Sequence, residues 1–124
     1  MTARTSVNEY LGKVYDARKY NCFHLAAEVW ADLTGQDLIK AYGDAVRDGL
    51  EARRLNRQLV SGLREIPKPQ DPCIVVLQNP RETPHIGVYL RGKVLHIREH
   101  QGVRFEPIFF AQFGFKTTRY ALPC

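Results

Sequence analysis

The sequence predicts an α+β fold, with N-terminal helices packed on a C-terminal antiparallel β-sheet. Apolar residues recur at helical spacing in the first half of the chain, whereas short β-branched runs occupy the second half. Between the two halves, the three prolines of residues 66–72 stop helix formation. Because the strands follow one another without intervening helices, we expect them to pair as antiparallel hairpins.

The composition is that of one globular domain. The chain has 124 residues, of which 44% are hydrophobic and 25% charged, and we expect residues 1–124 to fold around a single core. Its apolar runs are all shorter than the roughly 20 residues that span a bilayer, so we expect no membrane insertion. The first residues contain no hydrophobic segment typical of a signal peptide, which predicts a protein that is not exported by that route.

The net charge of +5 would suit an anionic partner, but the basic residues are scattered along the chain. The densest cluster is most simply a solvated helix face, and its members are Arg47, Arg53, Arg54, Arg57 and Arg64. Binding of an anionic polymer is the alternative for this cluster, but we expect no nucleic-acid partner.

The three cysteines are Cys22, Cys73 and Cys124. An odd number without a signal peptide argues against a disulfide framework, and the lack of a C-x-x-C pair argues against a structural zinc site. We therefore expect neither a metal nor a cofactor. Cys73 opens the most apolar run and is expected in the core, whereas Cys124 ends the chain and is expected to be an exposed thiol.

Three helical segments are predicted in the first half. Ser6 would cap a short helix over residues 6–12, and a second helix would run over residues 21–34 with Gly35 as its C′ residue. The second helix has a broad apolar face made of Leu25, Ala26, Val29, Trp30 and Leu33. Residues 42–63 indicate a longer, more polar helix or helix pair, with an intermittent apolar stripe of Val46, Leu50, Leu59 and Leu63.

The second half predicts a series of short strands bounded by turn residues. The candidate strands are residues 73–77, 86–90, 93–97, 103–108 and 117–122. Arg91 and Gly92 separate the second candidate from the third, which indicates a hairpin.

This hairpin brings two histidines together. A two-residue turn at 91–92 places Gly87 opposite His96. Because side chains alternate between faces, His85 shares a face with Gly87 and becomes a diagonal neighbour of His96, at roughly 7–8 Å between backbones. Gly87 leaves space beside both rings. A turn one residue longer would instead place the histidines on opposite faces.

Cys22 stands where residues 19–21 give way to the second helix. The positive end of the helix macrodipole and a neighbouring imidazolium both lower the pKa of a thiol toward its reactive form. This combination predicts that Cys22 attacks a carbonyl carbon, and that His85 protonates the leaving amine and then activates water. His96 would hold the His85 ring in the useful tautomer.

Two segments are similar to motifs of the NlpC family of papain-like cell-wall peptidases. Residues 20–30, YNCFHLAAEVW, resemble the nucleophile helix, and residues 84–97, PHIGVYLRGKVLHI, resemble the histidine hairpin. The resemblance implies a papain-like fold of the NlpC type. It also implies that Cys22 is the nucleophile, His85 the base and His96 the third member of the triad.

The chain departs from the family pattern beside the nucleophile. Asn21 stands where the family has Asp, Phe23 where it has Ser or Ala, and His24 where a small residue is common. Residues 69–72, PQDP, replace the usual Pro-Gly-Asp before the core strand. His24 points away from Cys22 on a helix, so we expect it to have a structural role.

The resemblance implies a hydrolase that cleaves peptide bonds in the peptidoglycan stem. The likeness is closer to the short bacteriophage tail members, which implies a virion protein with other tail proteins as partners, or a protein of the host cytoplasm. Three alternatives stay open. They are a catalytically silent structural component of a phage tail, an intracellular amidase or deamidase, and a thiol acyltransferase.

Several aromatic residues also bear on the site or the core. Tyr10, Tyr15 and Tyr20 precede the nucleophile, and any of them could lend a hydroxyl to the site. Trp30, at helical spacing, is expected in the core. Core packing, with a partner-binding edge as the alternative, is expected for Phe109, Phe110, Phe113 and Phe115.

Overall fold

The computed structural model describes residues 6–17, 19–38 and 60–123. Its strands are β1 (Leu63–Ile66), β2 (Cys73–Gln78), β3 (His85–Leu90), β4 (Lys93–Arg98), β5 (Gly102–Glu106) and β6 (Thr117–Pro123). They form one antiparallel sheet in the order β1-β6-β2-β3-β4-β5. With the helix of 13 residues that precedes them, they confirm the predicted α+β class.

Helix α1 (Cys22–Thr34) covers one face of the sheet and lies against β3 and β4. Its predicted apolar face is buried, Trp30 included, and the chain leaves the helix at Gly35 with a left-handed φ of 79°. The helix packs on apolar side chains of three neighbouring strands, which are Ile74, Val76, Ile86, Val88, Leu90, Leu95 and Ile97. Removing this surface from water is the main stabilising contribution of the core.

The opposite face of the sheet is covered by a four-residue helix, α2 (Ile108–Ala111), and the loop after it. A smaller apolar cluster forms there from Val75, Leu77, Val94 and Ala111, with Tyr89, Ile108, Phe115 and Tyr120 packed against it. Since side chains alternate along a strand, His85 shares this face with Tyr89, and His96 shares it with Val94. The two histidines therefore lie on the face that α1 does not cover.

Near the N-terminus the predicted helix is shorter than expected. Residues 6–12 contain one 3-10 turn, Val7–Glu9, and the Ser6 side chain caps it by accepting a hydrogen bond from the N–H of Asn8. A single turn with few buried residues gains too little from packing to extend into an α-helix.

In the middle of the chain, the sequence predicts Leu63 in a helix, but in the structure it opens β1. Residues 63–66 pair with β6 instead, because the edge of that strand offers them a ladder of backbone hydrogen bonds. The remainder of the predicted 42–63 segment, up to residue 59, lies outside the described residues. The same is true of the arginines at its centre and of Cys124.

The prediction of core packing was wrong for three of the four phenylalanines. Phe109, Phe110 and Phe113 are 71%, 60% and 81% exposed, and Ile108 begins α2 rather than ending a strand. A helix of four residues turns only one side toward the sheet, and Ala111 occupies that side. Cys73, in contrast, is fully buried as expected.

The β3–β4 hairpin adopts the predicted register. Leu90 pairs with Lys93 and Val88 with Leu95. Both turn residues have positive φ, 52° at Arg91 and 81° at Gly92, which matches the right-handed twist of the strands.

Gly87 is the tightest point of this hairpin. A Cβ atom there would lie 2.9 Å from Cγ1 of Val94 and 3.1 Å from both Cβ of His96 and the carbonyl oxygen of Leu95. The carbonyl belongs to the backbone ladder and cannot move aside cheaply, so the position requires glycine.

Gly87→Ala should lower the free energy of unfolding by about 1–3 kcal/mol, the usual cost of overpacking. Urea unfolding measures the change. Gly12→Ala is the matched control, because a Cβ atom at Gly12 meets nothing within 4 Å. An unchanged urea midpoint for Gly87→Ala would contradict the close approach of β3 and β4.

Candidate active site

A reciprocal cap fixes the first turn of α1. The side-chain oxygen of Asn21 accepts hydrogen bonds from the N–H groups of Phe23 at 3.0 Å and His24 at 3.3 Å. Nδ1 of His24 accepts from the N–H of Asn21 at 3.0 Å, which completes a capping box. His24 thus has the structural role expected of it, and the cap holds Cys22 as the first residue of the helix.

Asn21 also makes a contact that an ionised aspartate could not. Its Nδ2 donates to the carbonyl oxygen of Ala17 at 3.0 Å, so the amide ties the lead-in segment to the helix. The departure from the Asp of the NlpC pattern therefore preserves the cap and adds a donor.

Cys22 is half-buried and packs at the margin of the apolar cluster beneath α1. Tyr15 lies near it. Burial raises the pKa of the Tyr15 phenol, and electrostatic interactions with Cys22, Glu99 and Asp16 raise it further. The phenol therefore stays protonated and can donate a hydrogen bond beside the thiol.

Tyr15 is the tyrosine that the structure associates with Cys22 among the three considered. The hydroxyl of Tyr10 donates to a carboxylate oxygen of Asp32, and that of Tyr20 donates to Oε2 of Glu28 at 3.1 Å. Both of these contacts hold α1 against the segment that precedes it.

An open groove of about 520 Å³ lies beside Tyr15. One wall comes from the segment before α1 and the other from the β4–β5 turn, and the lining residues are Lys13, Val14, Tyr15, Ala17, Glu99, His100 and Gly102. The groove offers an ammonium group, a carboxylate and a phenol.

On the other side of the sheet, His85 and His96 meet as the hairpin register predicts. Nε2 of His85 lies 2.8 Å from Nδ1 of His96, and the ring centroids are 5.1 Å apart. Nε2 of His96 lies 3.1 Å from Oε1 of Glu106. The three side chains form a continuous line of hydrogen bonds across β3, β4 and β5.

The carboxylate fixes the direction of this line. An ionised Glu106 only accepts, so Nε2 of a neutral His96 carries the proton and its Nδ1 is an acceptor. Nε2 of His85 must then donate to that Nδ1. The remaining nitrogen of a neutral His85, Nδ1, carries a lone pair and is the basic atom of the site.

Both imidazoles are neutral at neutral pH. Burial lowers the pKa of His85 to about 3, with further lowering by His96 and the Arg98 guanidinium. Burial also lowers the pKa of His96, where Glu106 acts in the opposite direction and Arg98 and Arg104 add to the lowering. His85 is therefore neutral in the resting site, whereas the sequence predicts an imidazolium beside the thiol.

The Phe115 ring forms an apolar surface against His85 in the line of hydrogen bonds. Its ring stacks on His85 with centroids 5.5 Å apart and planes 8° apart, and Arg98 lies 5.2 Å from the Phe115 centroid. The stacking keeps the half-buried His85 ring in one orientation.

Cys22 and His85 lie toward the same end of the sheet. His85 begins β3 and Arg98, whose charge acts on it, ends β4. The next residue, Glu99, acts on Tyr15, which in turn lies near Cys22. The structure thus joins the two histidines directly, whereas Cys22 begins α1, which packs on the opposite face of the sheet. The catalytic roles of the three residues stay a prediction.

Sequence reasoning misses Glu106 and Phe115. Arg104 pairs with His96 in the β4–β5 register, so Glu106, two residues after Arg104, lies on the same face of the sheet as His96. The alternation within β5 is visible in the sequence, but the register depends on the turn at residues 99–101, which the sequence leaves open. Phe115 reaches His85 through a loop whose path no local pattern predicts.

Among the residues that the structure describes, no three His, Cys, Asp or Glu side chains cluster in a way that could hold a metal ion. Within the same ranges, no helix has the length and apolar content needed to cross a membrane.

Comparisons of the chain with protein-family models, curated proteins and solved structures gave no match. The chemistry of the site therefore rests on its own geometry.

Lowering the pH from about 7 to 4.5 should destabilise the fold through His85. Its pKa is lower in the folded state than in the unfolded state, so the unfolded chain binds more protons below about pH 6.5. Stability is therefore present above that pH and is lost as the pH falls, by at most about 1.4 kcal/mol per pH unit for one proton. In His85→Gln, which cannot titrate, the loss should be smaller.

His100→Gln is the control for this measurement, because the side chain of His100 is 89% exposed. Urea unfolding across the pH range should give parallel curves for His100→Gln and the wild-type protein. A curve for His85→Gln that also runs parallel to the wild type would show that His85 is not held neutral by the fold.

Proposed function

We propose that this protein is a cysteine peptidase that hydrolyses amide bonds with Cys22 as nucleophile, His85 as base and His96 as the orienting residue. The observation that carries the proposal is the line of hydrogen bonds from Glu106 through His96 to His85, which leaves Nδ1 of His85 unprotonated. Burying the His96 imidazole fully and the His85 imidazole in part costs free energy that apolar side chains would not, and groups with such perturbed pKa values concentrate at functional sites.

The first half of the reaction forms a thioester. We propose that Cys22 and His85 approach each other at the end of the sheet where β3 begins, so that Nδ1 of His85 accepts the thiol proton. The thiolate then attacks the carbonyl carbon of the substrate. The N-terminus of α1 stabilises negative charge on the sulfur. When the tetrahedral intermediate collapses, the C–N bond breaks and the imidazolium of His85 gives its proton to the leaving amine.

The second half of the reaction consumes water. Nδ1 of His85 takes a proton from a water molecule, whose oxygen attacks the thioester carbon. The C–S bond breaks, the carboxylic acid leaves, and the proton returns to the sulfur of Cys22. In each half, the carboxylate of Glu106 stabilises through His96 the positive charge that forms on His85.

The substrate we propose is a stem peptide of peptidoglycan, and the fold we propose is of the papain-like NlpC type. The similarity of residues 20–30 and 84–97 to NlpC motifs supports both. The groove beside Tyr15 adds to this, because Lys13 and Glu99 give it both charge signs, as a peptide with free amino and carboxyl groups requires. We also propose that the protein is delivered within a phage tail or acts in the host cytoplasm.

Incubation of the protein with muropeptides should release new free amines, and Cys22→Ala should abolish the release. His85→Gln should lower it by roughly 10³-fold or more, as removal of the base does in comparable triads. Cys73→Ala is the matched control, because it removes a fully buried thiol of the core and should leave cleavage in place. Cleavage that survives Cys22→Ala would reject the assigned nucleophile.

A structural role in a phage tail is the second candidate, and one observation favours it. Phe109, Phe110 and Phe113 project from α2 and the loop after it with more than half of each side chain exposed. Contiguous exposed apolar side chains mark protein interaction sites. In this case the fold would assemble with neighbouring subunits through the phenylalanines, and Cys22 would perform no turnover.

Thiol reactivity separates the two candidates. In a peptidase, iodoacetamide should alkylate Cys22 well below pH 8 and faster than Cys124, because an activated thiol has a lowered pKa and reacts as the thiolate. Mass spectrometry of the peptides around each cysteine gives the two rates. Slow alkylation of Cys22, at a rate similar to that of Cys124, would favour the structural role.

A further inference from the structure

Glu106 ends the line of hydrogen bonds behind the two histidines. Its Oε1 lies 3.1 Å from Nε2 of His96, whose side chain is fully buried, whereas the Glu106 side chain keeps 20% of its surface exposed. The carboxylate therefore stands between a buried imidazole and the solvent. It is the last residue of β5, and Pro107 follows it directly.

Resting on the proposed function, we propose that Glu106 is the positioning residue of the site. Its negative charge holds the proton of neutral His96 on Nε2, and the hydrogen bond between the histidines then keeps Nδ1 of His85 unprotonated. Glu106 thus determines whether His85 can act as a base, without contacting the substrate.

The argument follows from the two directions that a neutral histidine pair can adopt. In one, Nε2 of His85 donates to Nδ1 of His96; in the other, Nδ1 of His96 donates to Nε2 of His85. The second direction places the remaining His85 proton on Nδ1, where it blocks the basic atom.

Glu106 separates these two directions in energy. In the second direction, Nε2 of His96 presents a lone pair to a carboxylate oxygen at 3.1 Å, and two acceptors repel. In the first direction, the same atoms form a charge-assisted hydrogen bond. Without the carboxylate, this difference disappears and both tautomers of His85 become populated.

The charges around His96 support a neutral ring. Burial disfavours the imidazolium of His96. Arg98, on the same strand, and Arg104, which pairs with His96 from β5, disfavour it further. Glu106 favours the imidazolium of His96. Phe115, which stacks on His85 from the loop after α2, adds no charge. Neutrality matters because a protonated His96 would donate from Nδ1 and reverse the line.

The test observes the tautomers directly. Nitrogen-15 NMR of the imidazoles at neutral pH should show His85 and His96 as Nε2–H tautomers in the wild-type protein. In Glu106→Ala, a substantial fraction of His85 should carry its proton on Nδ1. Glu65→Ala is the matched control, because it removes an exposed carboxylate of β1 far along the sheet order and should leave both tautomers unchanged.

Glu106→Gln gives a second measurement if the alanine variant does not fold. The amide has nearly the shape of the carboxylate but can either donate to Nε2 of His96 or accept from it, so both tautomers should again be seen. Unchanged Nε2–H tautomers in the folded Glu106 variants would overturn the inference.

Kinetics then separate this inference from the proposed function. With muropeptides, Glu106→Ala should lower kcat by about 10–100-fold with little change in KM, the effect expected of a residue that orients a catalytic group. A tautomer shift in a protein that cleaves nothing would uphold the positioning role and reject the peptidase. Cleavage with unchanged tautomers would support the peptidase and reject the positioning role.

Discussion

The register of the β3–β4 hairpin is the constraint on which the candidate site depends. Positive φ angles at Arg91 and Gly92 set a two-residue turn, and that turn places His85 and His96 on one face. A slip of one residue would move His96 into the apolar cluster beneath α1, where an imidazole without a partner costs about 1–3 kcal/mol. The hydrogen bond between the histidines and the strand pairing therefore stabilise the same arrangement.

The parts of the structure that were predictable depend on neighbours in sequence. The hairpin follows from a turn and an alternation within about a dozen residues, and α1 follows from a helical pattern of apolar residues that ends at Gly35. The parts that were missed depend on distant segments. Leu63 becomes a strand residue because β6 lies beside it, and Glu106 reaches His96 through a register that the sequence does not reveal.

Burial disfavours the protonated form of His85, and this has two consequences in the proposed mechanism. In the proposed mechanism, the thiol of Cys22 therefore has no permanent cation from this ring, and its activation depends on the helix terminus and on proton transfer. The same burial makes the imidazolium a strong acid once formed, which suits the protonation of a leaving amine. The carboxylate of Glu106 moderates the effect from behind His96.

Among the strands that the structure describes, β5 borders the sheet and is paired with β4 alone. A border strand separates from its neighbour at a lower free energy than a central strand, because fewer backbone bonds and less apolar surface restrain it. Such a separation would withdraw the Glu106 carboxylate while the β2–β3–β4 centre stays intact. The electrostatic support that the Glu106 carboxylate gives the imidazoles is thus lost more readily than the position of the imidazoles themselves. The rate of amide exchange in β5 reports how often this support is lost.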